Sequence, residues 1–167
     1  DAELHTWAIP WNSGLFAQLT HWDLTDLNVL DIGCGLGLAG CFACQKGASS
    51  VFFADRSEIA VGLALRSAAA NLPAGAPCRI YGKHGCWSST AAAAWPQSDL
   101  ILGNEVLYCA EAVEQLTAII LSPVLRVGGV AAICGVDRGI LMERLENSLR
   151  SAGLHVQSGN GFTAATM

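Results

Sequence analysis

The stretch "VLDIGCGLGLAG", Val29 to Gly40, constrains the fold of this chain more than any other. An apolar run carrying one acid, Asp31, stops at Gly33, and Gly35, Gly37 and Gly40 follow closely. The residues that continue it, "LAGCFACQKG", have helical character and close at Gly47. A short buried strand, a glycine turn and a helix make the opening of a strand–helix–strand unit. Its next strand then lies parallel to the first, because a helical crossover rather than a hairpin joins them.

The alternation repeats along the chain. "SSVFFAD" reads as a second strand, and Ser57 caps the helix "EIAVGLALRSAAAN" with Glu58 in its first turn. "LPAGAP" is a turn and "CRIYG" a third strand. After a less regular stretch, "KHGCWSSTAAAAWPQ", a fourth strand follows in "SDLILGNE". "AEAVEQLTAIIL" has helical periodicity and ends before Pro123, and "VGGVAAICGV" is a turn followed by a fifth strand. In "ILMERLENSLRSAG", Leu141, Leu145 and Leu149 share one helical face, and Gly153 stops it. "LHVQSG" and "FTAATM" flank Asn160-Gly161, a hairpin dipeptide.

Such apolar strands, alternating with helices, predict a parallel sheet covered on both faces. The expected class is α/β, a single Rossmann-like doubly wound sheet, mostly parallel. No internal repeat or long linker divides the chain. Residues 1–167 read as one domain, with 1–26 a leading segment and helix and 27–167 the α/β core. Ligands of such sheets bind beyond the carboxyl ends of the strands. "GCGLG", Asp55, "GCW" and "NEVLY" are therefore predicted on one rim.

Composition narrows the partners. The chain has 167 residues, is 52% apolar and only 14% charged, yet its apolar runs fall short of the roughly 20 residues of a spanning helix. A formal charge of −5 argues against a general phosphate-binding surface. No nucleic-acid or membrane partner is expected. No signal peptide, transit peptide or lipidation motif is evident in "DAELHTW" or beyond. The seven cysteines are scattered through apparent core elements, and the lone Cys41-x-x-Cys44 has no second ligand pair. They read as apolar fillers, reduced in an intracellular compartment, and no metal site is predicted. The cytoplasm is the expected location, with nucleus and mitochondrion left open.

The glycines admit two readings. Gly35, Gly37 and Gly40 spell the dinucleotide fingerprint, whereas Gly33, Gly35 and Gly37 with Asp31 ahead of them spell a methyltransferase loop. Asp55, at the end of the second strand, can hold ribose hydroxyls in either case. Asp31 tips the balance. A dinucleotide seats its pyrophosphate at the helix N-terminus, where an adjacent acid would repel it. S-adenosyl-L-methionine has no phosphate and carries a sulfonium and an ammonium, which an acid attracts. A plainer reading stays open, in which Asp31 only ties loop amides.

With "VLDIGCGLGLAG", "FADRSEIAVGLALRSAAAN" and "SDLILGNEVLYCAEAVEQL" together, the chain resembles the seven-β-strand methyltransferases. More narrowly it resembles their protein-lysine methyltransferase group, which includes the electron-transfer-flavoprotein β-subunit, elongation-factor and chaperone lysine methyltransferases. The likeness runs from "WAIPWNSG" to about "GVDRG". It implies an antiparallel last strand, S-adenosyl-L-methionine as cofactor, and a protein substrate met by a monomer. By the same likeness Gly33, Gly35 and Gly37 line the methionine part of the cofactor and Asp55 holds its ribose. Trp11 lies near the cofactor, Trp87 closes over the adenine, and Asn104 stands at the methyl-donor side. Glu105 and Tyr108 occupy the group's Asp-x-x-Tyr motif beside the transferred methyl.

Two positions depart from the pattern. Glu105 replaces the usual aspartate, and Cys86 replaces an aspartate often found ahead of the tryptophan. A glutamate at the first position is similar to a protein-histidine methyltransferase branch, so histidine stands as an alternative acceptor. Each site residue also has a plainer role. Glu105 can be an N-cap or first-turn acid of the next helix, and Tyr108, Trp7, Trp11 and Trp87 can be packing aromatics. Trp22 and Trp95 read as packing alone, and Cys109, with no histidine near it in sequence, as a bystander. The function expected is methyl transfer to a lysine of a specific intracellular protein. Its rivals are small-molecule methylation, an inactive cofactor-binding interaction module, and a nicotinamide-dependent oxidoreductase.

Overall fold

The computed structural model describes residues 15–72, 75–87, 94–135, 139–159 and 161–167. In chain order the elements are α1 (Leu15–Leu19), β1 (Asn28–Ile32), α2 (Leu38–Gln45), β2 (Ser50–Asp55), α3 (Glu58–Asn71) and β3 (Arg79–His84). There follow β4 (Ser98–Asn104), α4 (Ala110–Ile120), β5 (Leu125–Cys134), α5 (Gly139–Ser151), β6 (His155–Gly159) and β7 (Phe162–Thr166). The strands form one sheet in the order β3-β2-β1-β4-β5-β7-β6. β1 to β5 pair in parallel, and β7 is antiparallel to both of its neighbours, β5 and β6. The sheet is therefore the expected one, mostly parallel with an antiparallel last strand.

Two-residue periodicity sorts each buried strand between two cores. Leu30, Ile32, Phe52 and Ala54 face a core shared with Leu116, Ile119 and Ile120 of α4 and Leu145 and Leu149 of α5. Val29, Val51, Phe53 and Leu102 face the other, built with Leu15 and Leu19 of α1, Ala43 of α2 and Ala64 and Ala68 of α3. Trp95 closes the first core by packing against Phe52, ring centroids 6.3 Å apart. Trp22 meets Phe162 edge-on. Both are the packing residues their sequence context implies.

The sheet's outer strands depart from the apolar pattern. β3 and β6 are largely exposed, as edge positions allow. β5 begins before the predicted "VGG" turn rather than after it. Its register jumps from Ser98↔Leu125 to Leu100↔Val130, and Gly128, at φ +80°, takes up the irregularity inside the strand. A glycine bulge and a glycine turn look alike in sequence, and only the pairing with β4 separates them.

The winding reverses at β1, whose neighbours are β2 on one side and β4 on the other. That reversal opens a crevice at the carboxyl ends of β1 and β4. Helix α2 is held close against the sheet beside it. A Cβ at Gly40 would overlap the ring of fully buried Phe53 and stand 2.8 Å from Val51 Cγ1. Helix propensity favours alanine over glycine by about 1 kcal/mol, but overpacking costs roughly 1–3 kcal/mol. With backbone and ring both confined, the clash wins. Gly40→Ala is expected to lower stability by about 2 kcal/mol and Tm by about 4–8 °C in thermal denaturation. A raised Tm would show that α2 can lift off the sheet.

Candidate active site

The loop between β1 and α2 is shaped by backbone that only glycine adopts cheaply. Gly33, Gly35 and Gly37 have φ of +63°, +50° and +78°. Gly37 is also the N-cap of α2, and a Cβ there would stand 2.6 Å from Ala64 Cβ. A Cβ on Gly33 would stand 2.8 Å from Val106 Cγ1 and 3.2 Å from Trp87 Cζ2. The three left-handed glycines are those of the methyltransferase reading. Gly40 lies within α2 and serves helix–sheet packing.

Two carboxyl groups brace this loop from beneath. Gly40 N–H donates to Asp31 Oδ2 at 2.8 Å, and the side chain is almost wholly buried. Gly35 N–H donates to Asp55 Oδ2 at 3.0 Å, and Ser57 N–H donates to Asp55 Oδ1 at 2.9 Å. A carboxylate offers about four acceptor positions, so Asp55 keeps capacity for ribose hydroxyls while holding the loop. Burial pushes the Asp31 carboxyl up to about 8, against the lowering effect of the Gly40 amide, and Asp55 adds repulsion. Asp31 thus realises its plainer reading, a tie for a loop amide. Its burial disfavours the charged form through which the sequence argument had it attract a cation.

Above the loop lies a cavity of about 570 Å³, within the roughly 300–1,000 Å³ range of small-molecule sites. Asp31, Gly33, Gly35, Asp55, Trp87, Asn104, Glu105 and Tyr108 all line it. Residues from the ends of β1, β2 and β4 and from the loop after β3 thus meet at one rim. Of the predicted cofactor residues, Gly37 shapes the loop without lining the cavity, and Trp11 lies outside the described residues. So does Trp7.

Glu105 has the least ordinary backbone of the set. Its φ is +57°, a left-handed value that costs a residue with a side chain about 1–2 kcal/mol. Its N–H donates to Cys134 O at 2.7 Å, which holds the chain in that turn. α4 begins at Ala110 with Cys109 as N-cap, so Glu105 is neither a cap nor a first-turn acid. Cys109 nonetheless lines the cavity. Trp87 is buried, and its ring lies 6.4 Å from that of half-exposed Tyr108. Burial is the main cause that raises the Tyr108 phenol above its ordinary pKa, so it is a neutral hydrogen-bond donor at pH 7.

Sequence reasoning missed several lining residues: Leu38, Arg56, Val106, Glu111 and Gln115. Arg56 and Val106 adjoin predicted site residues and were findable by proximity. Glu111 and Gln115 lie one turn apart on α4, where Gln115 Nε2 donates to Glu111 Oε1 at 2.9 Å. Only the approach of α4 to the rim puts them in the cavity. The cysteines are all free, and the described residues hold no cluster of three or more potential metal ligands. Cys44 and Cys78 touch as buried thiols, 3.2 Å apart. Among the described residues no helix is long and apolar enough to cross a membrane.

Residues 10–135 match the model of a family described as lysine methyltransferase. The chain belongs to this lysine methyltransferase family, and the fold and loop are those of an S-adenosyl-L-methionine-dependent methyltransferase. Among solved structures, the ribosomal protein L11 methylase of Lactobacillus delbrueckii subsp. bulgaricus superposes with a TM-score of 0.66 at 22% identity, over 90% of this chain and 74% of its own. Magnesium protoporphyrin IX methyltransferase from Synechocystis PCC 6803 with bound SAH gives 0.64 at 17%, over 92% and 80%. An S-adenosylmethionine-dependent methyltransferase from Mesorhizobium loti gives 0.65 at 15%, over 91% and 94%. No curated protein sequence matches the chain.

The cofactor is S-adenosyl-L-methionine, and the residues present fit it. Gly33 and Gly35 of the loop, Asp55 and Trp87 line one cavity of suitable size, and Asp55 keeps acceptor capacity for ribose hydroxyls. The buried acid beneath the loop has a measurable signature. The folded state raises the Asp31 pKa above its ordinary 3.8 to about 8. Between those values the native chain holds a proton that the unfolded chain has lost, so stability falls as pH rises through the window. Asn at position 31 can still accept from Gly40 N–H but does not titrate. Wild-type chain is expected to lose on the order of several kcal/mol between pH 5 and 9, and Asp31→Asn to lose much less, by urea unfolding at each pH. Parallel profiles would show that Asp31 is ionised in the folded state at neutral pH.

Proposed function

We propose that this chain transfers a methyl group from S-adenosyl-L-methionine to a lysine side chain of a specific intracellular protein. One observation carries the reading. Glu105 is held in a strained turn on the cavity wall, next to the cofactor loop and in the same wall as Tyr108. Strain of this kind persists where surrounding structure enforces it, commonly at functional sites. The family description supports a lysine acceptor. Charge supports a cationic one: the cavity is lined by Asp55, Glu105 and Glu111 against Arg56, while the buried Asp31 carboxyl is held toward its protonated form.

The chemistry needs an amine that is unprotonated and aligned. When bound, the cofactor supplies an electrophilic methyl on its sulfonium sulfur. Free lysine has a pKa of about 10.4, so the site must favour the neutral amine. Trp87 and Val106 supply apolar wall beside the glycine loop, and desolvation there lowers an amine pKa. Glu105 orients the incoming ammonium and accepts its proton as it enters. Tyr108 remains a phenol whose oxygen accepts from an N–H of the amine, which fixes the approach and leaves the nitrogen lone pair free for the methyl, and it does not act as base. Holding the nitrogen at near-attack distance is the larger contribution, since such alignment is worth up to several powers of ten in rate.

Glu105→Gln keeps the shape and removes the charge. It is expected to lower kcat by about 100-fold or more, the scale of acid–base contributions, with S-adenosylhomocysteine affinity unchanged by calorimetry. Glu105→Gly is expected to abolish transfer while raising stability by about 1 kcal/mol, because it releases the left-handed penalty. Turnover retained in Glu105→Gln would overturn the assignment. Hydrolysis of the labelled protein then tells methyl-lysine from methyl-histidine.

A further inference from the structure

Cys44 and Cys78 meet away from the cavity. Cys44 stands on α2, and Cys78 directly precedes β3. They are 34 positions apart in sequence, both are buried, and their Sγ atoms lie 3.2 Å apart. They belong to the core that α2 and α3 share with the sheet, beside Ala43, Val51, Ala64 and Ala68. Neither lines the cavity of the proposed transfer. Closing that contact to the roughly 2.05 Å of a disulfide needs a movement of about 1 Å.

The sequence suggests a different pairing. Cys41 and Cys44 form its C-x-x-C motif, and both stand inside α2, three positions apart. Side chains so placed on a helix have Cβ atoms roughly 5–6 Å apart, whereas a disulfide holds them at about 3.8 Å. Bridging them would unwind the helix. The bond from Gly40 N–H to Asp31 and the close approach of Gly40 to Phe53 oppose that. Cys44 therefore finds its partner outside its own helix. Among the described residues no third potential ligand joins the pair to make a metal site. Burial pushes the Cys44 thiol well above its ordinary pKa, and contact with Cys78 adds to the shift. Because the thiolate is the reacting form, the folded chain reacts slowly.

We infer that Cys44 and Cys78 are a dithiol site that hydrogen peroxide converts to a disulfide, locking α2 to the start of β3. One sulfur, as thiolate, attacks a peroxide oxygen. The O–O bond breaks, and hydroxide leaves and becomes water with the proton that the thiol gave up. The other sulfur then attacks the sulfenic acid. The S–S bond forms, the S–O bond breaks, and a second water leaves with the second thiol's proton. Two thiols are oxidised and one peroxide is reduced to two waters. The loop so closed contains β2, Asp55 and α3. Closing it removes conformational freedom from the unfolded chain. The folded cofactor site keeps its shape, because the two sulfurs already touch. Oxidation thus makes the chain harder to unfold and leaves cofactor binding as it was. The inference stands apart from the lysine-transfer reading.

The test treats the reduced 167-residue chain with hydrogen peroxide for several hours and then blocks free thiols with iodoacetamide. Mass spectrometry of a digest made without reductant is expected to show Cys44–Cys78 as the main cross-link. Tm of the oxidised chain is expected to rise by about 10 °C and to return with dithiothreitol, while S-adenosylhomocysteine affinity by calorimetry stays the same. Each variant is compared with its own reduced form, so any loss of packing cancels. Cys44→Ala and Cys78→Ala are expected to gain no stability on oxidation, and Cys41→Ala to gain as much as wild type. A Cys41–Cys44 link overturns the inference. So does the absence of a Cys44–Cys78 link when exposed Cys86 and Cys109 are oxidised, or an equal rise in Tm in Cys78→Ala.

Discussion

The hydrogen bond from Gly40 N–H to the buried carboxyl of Asp31 is the constraint from which the rest of the site is built. It joins the end of β1 to the first turn of α2 beneath the glycine loop. In a low-dielectric interior such a bond is strong when made and costly when broken. The loop above it has little freedom. Gly33 abuts Val106 and Trp87, Gly37 abuts Ala64, and Gly35 is tied to Asp55. The cavity wall is thereby linked to elements distant in sequence, and its shape is largely set before any ligand arrives. Such preorganisation is what alignment-based catalysis requires.

The electrostatics of the site divide between its two carboxyl pairs. Asp31 and Asp55 lie under the loop, where their hydrogen bonds to backbone amides organise structure as much as they meet a ligand. Glu105 and Glu111 line the cavity from the end of β4 and the first turn of α4. The sheet itself does not specify the acceptor. Similar folds serve a ribosomal protein methylase and a magnesium protoporphyrin IX methyltransferase. On the proposed reading, the choice of acceptor falls to side chains around the cavity rather than to the sheet, as expected where function is grafted onto a common scaffold.

Much of this was legible in one dimension because its causes are local. The strand–glycine–helix pattern marked β1, its loop and α2, and an acid ending an apolar run marked Asp55. Helical and alternating periodicities located the other elements to within a few residues. The nature of Glu105 was not legible in the same way. An acid five residues ahead of a helix looks like a helix-start residue until the helix is seen to begin at Ala110. Its left-handed turn depends on a bond to Cys134, a partner on another strand. Glu111 and Gln115 read as ordinary helix surface, and the glycines of β5 read as a turn.

What the amino-acid order determined by itself was the set of elements, the glycine positions that need left-handed backbone, and the chemical kinds of residue at each strand end. These follow from short-range sterics and periodicity. Tertiary structure alone decided the insertion of β7 between β5 and β6 and the contact of Trp87 with both the loop and Tyr108. It also raised the Asp31 carboxyl and brought Trp87, Glu105, Tyr108 and Glu111 into the lining of one cavity. Those depend on strand pairing and burial, which bring together groups separated by tens of residues.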